Sequence, residues 1–321
     1  MKKFLAIYKK VGGKEILRQY RQNHVLCFAL RQTLAQGFSK KGLEIVRLSV
    51  GNKVLGKLRK KYRKTIAAFQ SQYTPAPRAQ SNKVWVCWLQ GMDTAPALVQ
   101  KCYTSLQEHL SDREIILLTQ ENYRNYVNFP DHIQQKIDNG MISKTHFSDL
   151  LRLELLIHHG GTWVDATVFC SGGSIPGYMM DSDLFVYQAL KPGLDGHPTC
   201  ISSWFMTACT NHPILLLTRH LLYTYWEKHK KLKDYFLLHD CFQLSIEAYP
   251  QEWSKVIPVC NSTPHILLLR LFDAYDAQLW QATKTMTPFH KLTYKFTPED
   301  TQKEGSYYAQ LFGGNNHGTG N

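Results

Sequence analysis

The residues best suited to chemistry crowd into the stretch from Ser148 to Thr167, SDLLRLELLIHHGGTWVDAT. Asp149 and Arg152 stand three apart in a helical pattern, so they share one face. Gly160-Gly161 stops that helix, and the apolar run beyond it leads to Asp165 and Thr167. Two carboxylates and a guanidinium are thus brought to one strand end, where α/β sheets hold ligands. The plainer alternative is a capping Asp149 paired with Arg152, with Asp165 merely ending a strand.

The elements around this stretch must do the positioning. Val84–Leu89 reads as a strand, Ala95–Leu110 as a helix and Ile115–Thr119 as a strand. Short helices are expected over Glu121–Val127 and Asp131–Asn139, then a helix over Lys144–His159 and a strand over Thr162–Phe169. After a strand at Ile201–Ala208 the chain reads as mostly helical to Lys284, and His290–Phe296 as extended. This alternation predicts an α/β fold with a largely parallel sheet. There is no internal repeat, no G-x-G-x-x-G and no P-loop pattern.

The wording of the central stretch resembles a known signature. In sugar-nucleotide glycosyltransferases of the DxD type, Ser-Asp-x-x-Arg precedes a Gly-Gly turn and a strand bearing Asp-x-Asp. GGTWVDATV, with Asp-Ala-Thr, is similar to the bacterial capsular polysaccharide synthesis protein family. So are VWVCWLQGMDTAP (84–96), SSWFMTACTNHPIL (202–215) and FHKLTYK (289–295). The resemblance spans about residues 80–296 and implies a GT-A-like, Rossmann-type mixed and mostly parallel sheet flanked by helices. It implies transfer of a sugar from a nucleotide-diphosphate donor, UDP-linked in the first instance, to a growing capsular or exopolysaccharide glycan. Retention of anomeric configuration is implied in the same way.

Site roles come from that resemblance residue by residue. Asp149 and Arg152 would bond hydroxyls of the donor sugar, and Asp165 would bind a divalent metal, Mn²⁺ or Mg²⁺, that bridges the diphosphate. Thr167 fills the second motif position, where a hydroxyl is a weaker ligand than the usual carboxylate. HKLTYK keeps the His-to-Lys spacing of a related family's His-x-Gly-x-x-Lys without its glycine. By that likeness His290 would be a further metal ligand and Lys295 would contact the diphosphate, the alternative being an ordinary surface pair. Trp88 would stack near the base. Trp85 and Trp88 lie three apart on a strand and face opposite sides, so only one can be in the site.

Other signals are weaker. His158-His159 reads as a helix C-cap. His239-Asp240 could be an acid–base pair, but its leucine and aromatic setting reads as core. Ser203-Trp204 matches the family without a deducible role. The glycine-rich tail LFGGNNHGTGN reads as a disordered end or a lid.

Composition bounds the rest. With 321 residues, 44% hydrophobic and 20% charged, the chain can build a sizeable core. Through Arg78 it carries 19 basic and 2 acidic residues, out of 38 and 25 in all. The remainder is therefore net acidic, which disfavours a nuclease or any nucleic-acid partner. Residues 1–78 are expected to form a basic helical N-terminal arm and linker, and 79–321 the catalytic domain. Within the arm, Leu55, Leu58, Tyr62, Ile66 and Phe69 recur at helical spacing among lysines and arginines. Such a helix suits an anionic membrane surface, here through residues 1–72, where a lipid-linked glycan acceptor would reside. A helix packed on the main domain is the equal alternative.

No run approaches the roughly 18 apolar residues of a spanning helix. The apolar part of MKKFLAIYKK is too short for an export signal. The eight cysteines lack CxxC spacing, which fits reduced thiols. The expected location is cytoplasmic, peripheral on the inner face of the cell membrane. The competing reading is a basic membrane- or nucleic-acid-binding module on an inactive scaffold of the same fold.

Overall fold

A computed structural model describes residues 13–190 and 196–313. Three helices lead, α1 (Gly13–Gln22), α2 (Leu26–Gln36) and α3 (Lys40–Gln72). Strand β1 (Lys83–Cys87), helix α4 (Ala97–His109) and strand β2 (Glu114–Leu118) come next. Helices α5 (Asp131–Asp138) and α6 (Lys144–His159) then precede strands β3 (Gly161–Val164) and β4 (Val168–Cys170). Strands β5 (Leu184–Gln188) and β6 (Ile201–Ala208) precede helices α7 (Pro213–Lys228) and α8 (Leu237–Ala248). Helix α9 (Ala277–Met286) and strand β7 (Phe289–Lys291) complete the elements that bear on the site.

The main sheet has the order β2-β1-β3-β6-β5. Strand β1 is parallel to both β2 and β3, whereas β6 is antiparallel to β3 and to β5. Four of the five strands therefore point the same way and β6 alone is reversed. This is the expected mixed, mostly parallel sheet flanked by helices. Strands β1, β3 and β5 are apolar on both faces because helices cover both, as a parallel sheet requires.

The strand expected over Thr162–Phe169 is broken. The Asp165 N–H donates to the Trp204 carbonyl at 2.9 Å, still within the main sheet. The Val168 N–H then donates back to the Asp165 carbonyl at 2.9 Å and closes a turn. Beyond that turn, β4 pairs with β7 in a separate two-stranded antiparallel sheet. Two further expectations shorten. The extended stretch from His290 keeps strand structure only through Lys291, and the helix expected near Glu121 is one short turn at Tyr123–Asn125.

The basic arm does not stand apart from the domain. Ser39 caps α3, its hydroxyl accepting from the Gly42 N–H at 2.9 Å. Val46, Val50 and Val54 pack with Val25 and Ala29 of the α2 region. Leu55 and Tyr62 belong to the same buried cluster as Trp85, Leu217 and Phe242. The apolar face of Leu55–Phe69 thus covers the domain's own core. Among its basic residues, Arg59 holds Glu247 of α8 with two hydrogen bonds of 2.7 Å. A boundary at residue 78 does not divide two cores.

Candidate functional site

Ser143 starts α6 by accepting from the His146 N–H at 3.3 Å. One face of the helix then carries His146, Asp149 and Arg152, all buried. His146 Nδ1 lies 3.2 Å from Asp149 Oδ2, and Arg152 Nη1 lies 3.1 Å from Asp149 Oδ1. The helix ends where Gly160 and Gly161 take φ of 66° and 92°. A Cβ on Gly161 would sit 2.3 Å from the Lys83 carbonyl oxygen. Glycine there lets β3 lie tight against β1, which brings Asp165 to the carboxyl ends of the parallel strands.

Asp165 is the meeting point. Its Oδ1 accepts from the Trp163 indole N–H at 2.9 Å and lies 3.5 Å from Arg152 Nη2. The Arg152 guanidinium also rests 5.0 Å from the Trp163 ring centre. The other oxygen, Oδ2, accepts from Lys291 Nζ at 2.9 Å. The same ammonium donates to Thr167 Oγ1 at 2.7 Å. Burial alone would raise the Asp165 pKa, but the charges of Lys291 and Arg152, with the Trp163 hydrogen bond, hold it below the usual carboxylate range. Arg152 thus links Asp149 to Asp165, and Lys291 links Asp165 to Thr167.

Trp88 lies directly after β1 and is half-buried, edge-on to Tyr294 at 5.4 Å, while Trp85 is core. His290 goes elsewhere. Paired with Phe169 across the β4–β7 ladder, it lies on the opposite face from Lys291, because successive strand residues alternate. Its ring packs 5.3 Å from Trp280 and its Nε2 meets Ser171 Oγ at 2.9 Å. Burial pushes its pKa down to about 3, so it is neutral near pH 7. Lys295 is exposed on the loop after β7.

Three residues of the site were not singled out by the sequence. Lys291 and Tyr294 lie inside the HKLTYK segment, and strand alternation was the signal that Lys291 must oppose His290. His146 precedes Asp149 by one helical turn.

His239 is half-buried on α8. Its pKa is lowered to about 4, by burial first, with the charges of Asp149, Arg152 and Asp165 within reach. Its Nδ1 is buried without a hydrogen-bond partner. Asp240 contrasts with it, since its carboxyl is pushed well up by burial and by the Asp234 charge. His158 and His159 diverge, the first onto Glu154 at 2.9 Å and the second onto the Tyr126 carbonyl at 2.8 Å. Trp204 is stacked on Tyr187 at 4.6 Å. The tail from residue 314 lies outside the described residues.

A cleft of 570 Å³ opens beside Asp149, lined by His146 and Tyr235 and edged by Lys230, Lys231 and the Glu15–Arg18 ion pair. Its chemistry suits a ligand with hydroxyls and negative charge. The fit to a divalent cation is poor. Both Asp165 oxygens already face positively charged or N–H donors, and Thr167 adds no charge. Among the described residues no group of three or more His, Cys, Asp and Glu side chains could hold an ion. Mn²⁺ or Mg²⁺ seeks several oxygen or imidazole ligands, which these residues do not offer as they stand.

Similarity to known proteins bears on the chain as a whole. A family model described as "Capsular polysaccharide synthesis protein" matches residues 29–311. No protein of curated function matches. Among solved structures, "PaToxG Glycosyltransferase" is similar at 14% identity and a TM-score of 0.36, over 84% of this chain and 97% of that one.

Proposed function

The chain belongs to the capsular polysaccharide synthesis protein family, and from that premise we propose that it is a glycosyltransferase. It moves a sugar from a nucleotide-diphosphate donor, UDP-linked in the first instance, to a growing capsular or exopolysaccharide glycan. The observation that carries this reading is Arg152, held between Asp149 and Asp165 at the carboxyl ends of β1 and β3. A buried carboxylate and guanidinium side by side can bind sugar hydroxyls as acceptor and donors, and Arg152 Nε and Nη1, buried without a hydrogen-bond partner, leave donors for a ligand. In this reading Trp88, which meets Tyr294 edge-on, stacks on the nucleotide base, and Lys295 on the loop after β7 meets the diphosphate. Transfer proceeds with retention of configuration.

No helix among the described residues is long and apolar enough to cross a membrane. We assign the protein to the inner face of the cell membrane, where a lipid-linked acceptor would be found. The support is α2, whose Leu30 and Leu34 are 53% and 77% exposed beside Arg31, with Lys40 and Lys41 close behind in the chain.

The test is a panel of nucleotide-diphosphate sugars, each assayed for donor consumption and for a thermal shift of the protein. Turnover of at least one donor is expected, with NMR of the early product showing the donor's anomeric configuration. The absence of both consumption and stabilisation with every donor would refute the reading.

A further inference from the structure

We propose that Lys291 supplies the positive charge that a divalent cation supplies at an Asp-x-Asp motif, so that transfer here proceeds without added metal. The inference rests on the glycosyl-transfer reading and specifies its chemistry. Strand β7 places Lys291 opposite Val168, next to the turn that carries Asp165 and Thr167. Nζ donates to Asp165 Oδ2 at 2.9 Å and to Thr167 Oγ1 at 2.7 Å. An ammonium has three N–H donors, so a third remains for a ligand oxygen. The side chain is 19% exposed, open on one side and held on the other.

Thr167 acquires a reason in this arrangement. A second carboxylate at that position would add a negative charge, whereas the hydroxyl accepts one ammonium hydrogen bond. Asp149 and Asp165 are then balanced by Arg152 and Lys291, and the cluster is neutral before substrate arrives. A divalent ion could reach Asp165 only by displacing the ammonium. His290, the remaining expected ligand, faces Trp280 and Ser171 instead.

During transfer, the bond from the anomeric carbon to the β-phosphate oxygen breaks, and its electron pair passes to that oxygen. The acceptor hydroxyl oxygen bonds the anomeric carbon, and its proton leaves to the departing diphosphate. The third N–H of Lys291 meets the charge that grows on the phosphate oxygen, while Asp165 and Thr167 hold the ammonium in place. A fixed charge in a partly dry site needs little reorganisation as the reaction proceeds.

The experiment uses the full chain with UDP-glucose, UDP-galactose and UDP-N-acetylglucosamine, assayed in EDTA and in Mn²⁺, beside a donor-free Mn²⁺ titration read by electron paramagnetic resonance. Wild type is expected to turn over equally, within about twofold, in both media and to leave Mn²⁺ unbound. Lys291→Met should lose about 10²–10³ in turnover with an unchanged circular dichroism spectrum, and Lys291→Arg should keep part of it. Activity abolished by EDTA and restored by Mn²⁺, or Mn²⁺ bound by wild type and lost in Asp165→Asn, overturns the inference. Consumption of no donor in either medium counts against the glycosyl-transfer reading, while the Mn²⁺ titration still decides whether Lys291 excludes the ion.

Discussion

Arg152 on helix α6 and Asp165 beyond strand β3 meet with Nη2 at 3.5 Å from Oδ1, and the same guanidinium reaches Asp149 with Nη1 at 3.1 Å. One cation thereby sets the distance between the two carboxylates. Arg152→Met should leave two like charges facing each other without that bridge. We expect turnover to fall by about 10²–10³, as for loss of one preorganised electrostatic group. Arg152→Lys keeps the charge but not the planar fork, so it should recover only part of the loss. Steady-state kinetics of the two variants, with circular dichroism as the folding control, checks both.

The packing of α3 predicts that this helix is part of the folding unit. Leu55 and Tyr62 are 4% and 2% exposed. Leu55→Ala should cost about 2–5 kcal/mol, the range for truncating a buried leucine. A chain beginning at Ser81 should expose the α3-facing core and fail to give a cooperative unfolding transition. Urea melts of the two proteins test this, and a cooperative transition in the truncated chain would show that α3 is dispensable.

Acid should weaken the fold through histidines buried in neutral form. His212 and His290 have pKa values lowered to about 3, by burial first, against about 6.5 when unfolded. The unfolded chain therefore takes up protons that the folded chain refuses. Stability is full above pH 6.5 and declines as pH falls toward 3, by about 1.4 kcal/mol per pH unit for each group. Glu252, held near 2 by its Arg78 hydrogen bond, adds a further loss below about pH 4.5. Denaturation midpoints should hold from pH 7.5 to about 6.5 and then drop steadily to pH 4, less so in His290→Gln if that variant folds. A flat profile would contradict the burial argument.

The exposed Leu30 and Leu34 on α2 predict sedimentation with vesicles containing phosphatidylglycerol. The double change Leu30→Asp with Leu34→Asp should reduce it strongly. Raising salt should weaken wild-type binding as charges are screened, with a Debye length of about 10 Å at 0.1 M. Equal sedimentation of both proteins, or binding to neutral vesicles alone, would remove the membrane assignment.

What the sequence made legible was local. The spacing of Asp149 and Arg152 is helix geometry, and Gly160-Gly161 marks a forced turn, so their convergence with Asp165 could be read directly. The break between β3 and β4 could not, because the turn residues Asp165-Ala166-Thr167 contain neither glycine nor proline. Lys291 was hidden for another reason. Its partner Thr167 is distant in sequence, and only the β4–β7 register decides which face of HKLTYK meets Asp165. The amphipathic pattern of α3 was visible, but a pattern does not say whether lipid or protein covers its apolar face. Here the domain core does.

The most direct test of the central claim is the rate of nucleoside diphosphate release from the consumed nucleotide sugar, compared between wild type and Asp149→Asn. The substitution keeps the size of the side chain but removes the charge that pairs with Arg152 and that the proposed reading assigns to a sugar hydroxyl. The predicted result is a fall in kcat/KM of about 10²-fold or more, with circular dichroism unchanged. Wild-type kcat/KM in a folded Asp149→Asn protein would show that the Asp149–Arg152–Asp165 cluster is not where the donor sugar binds.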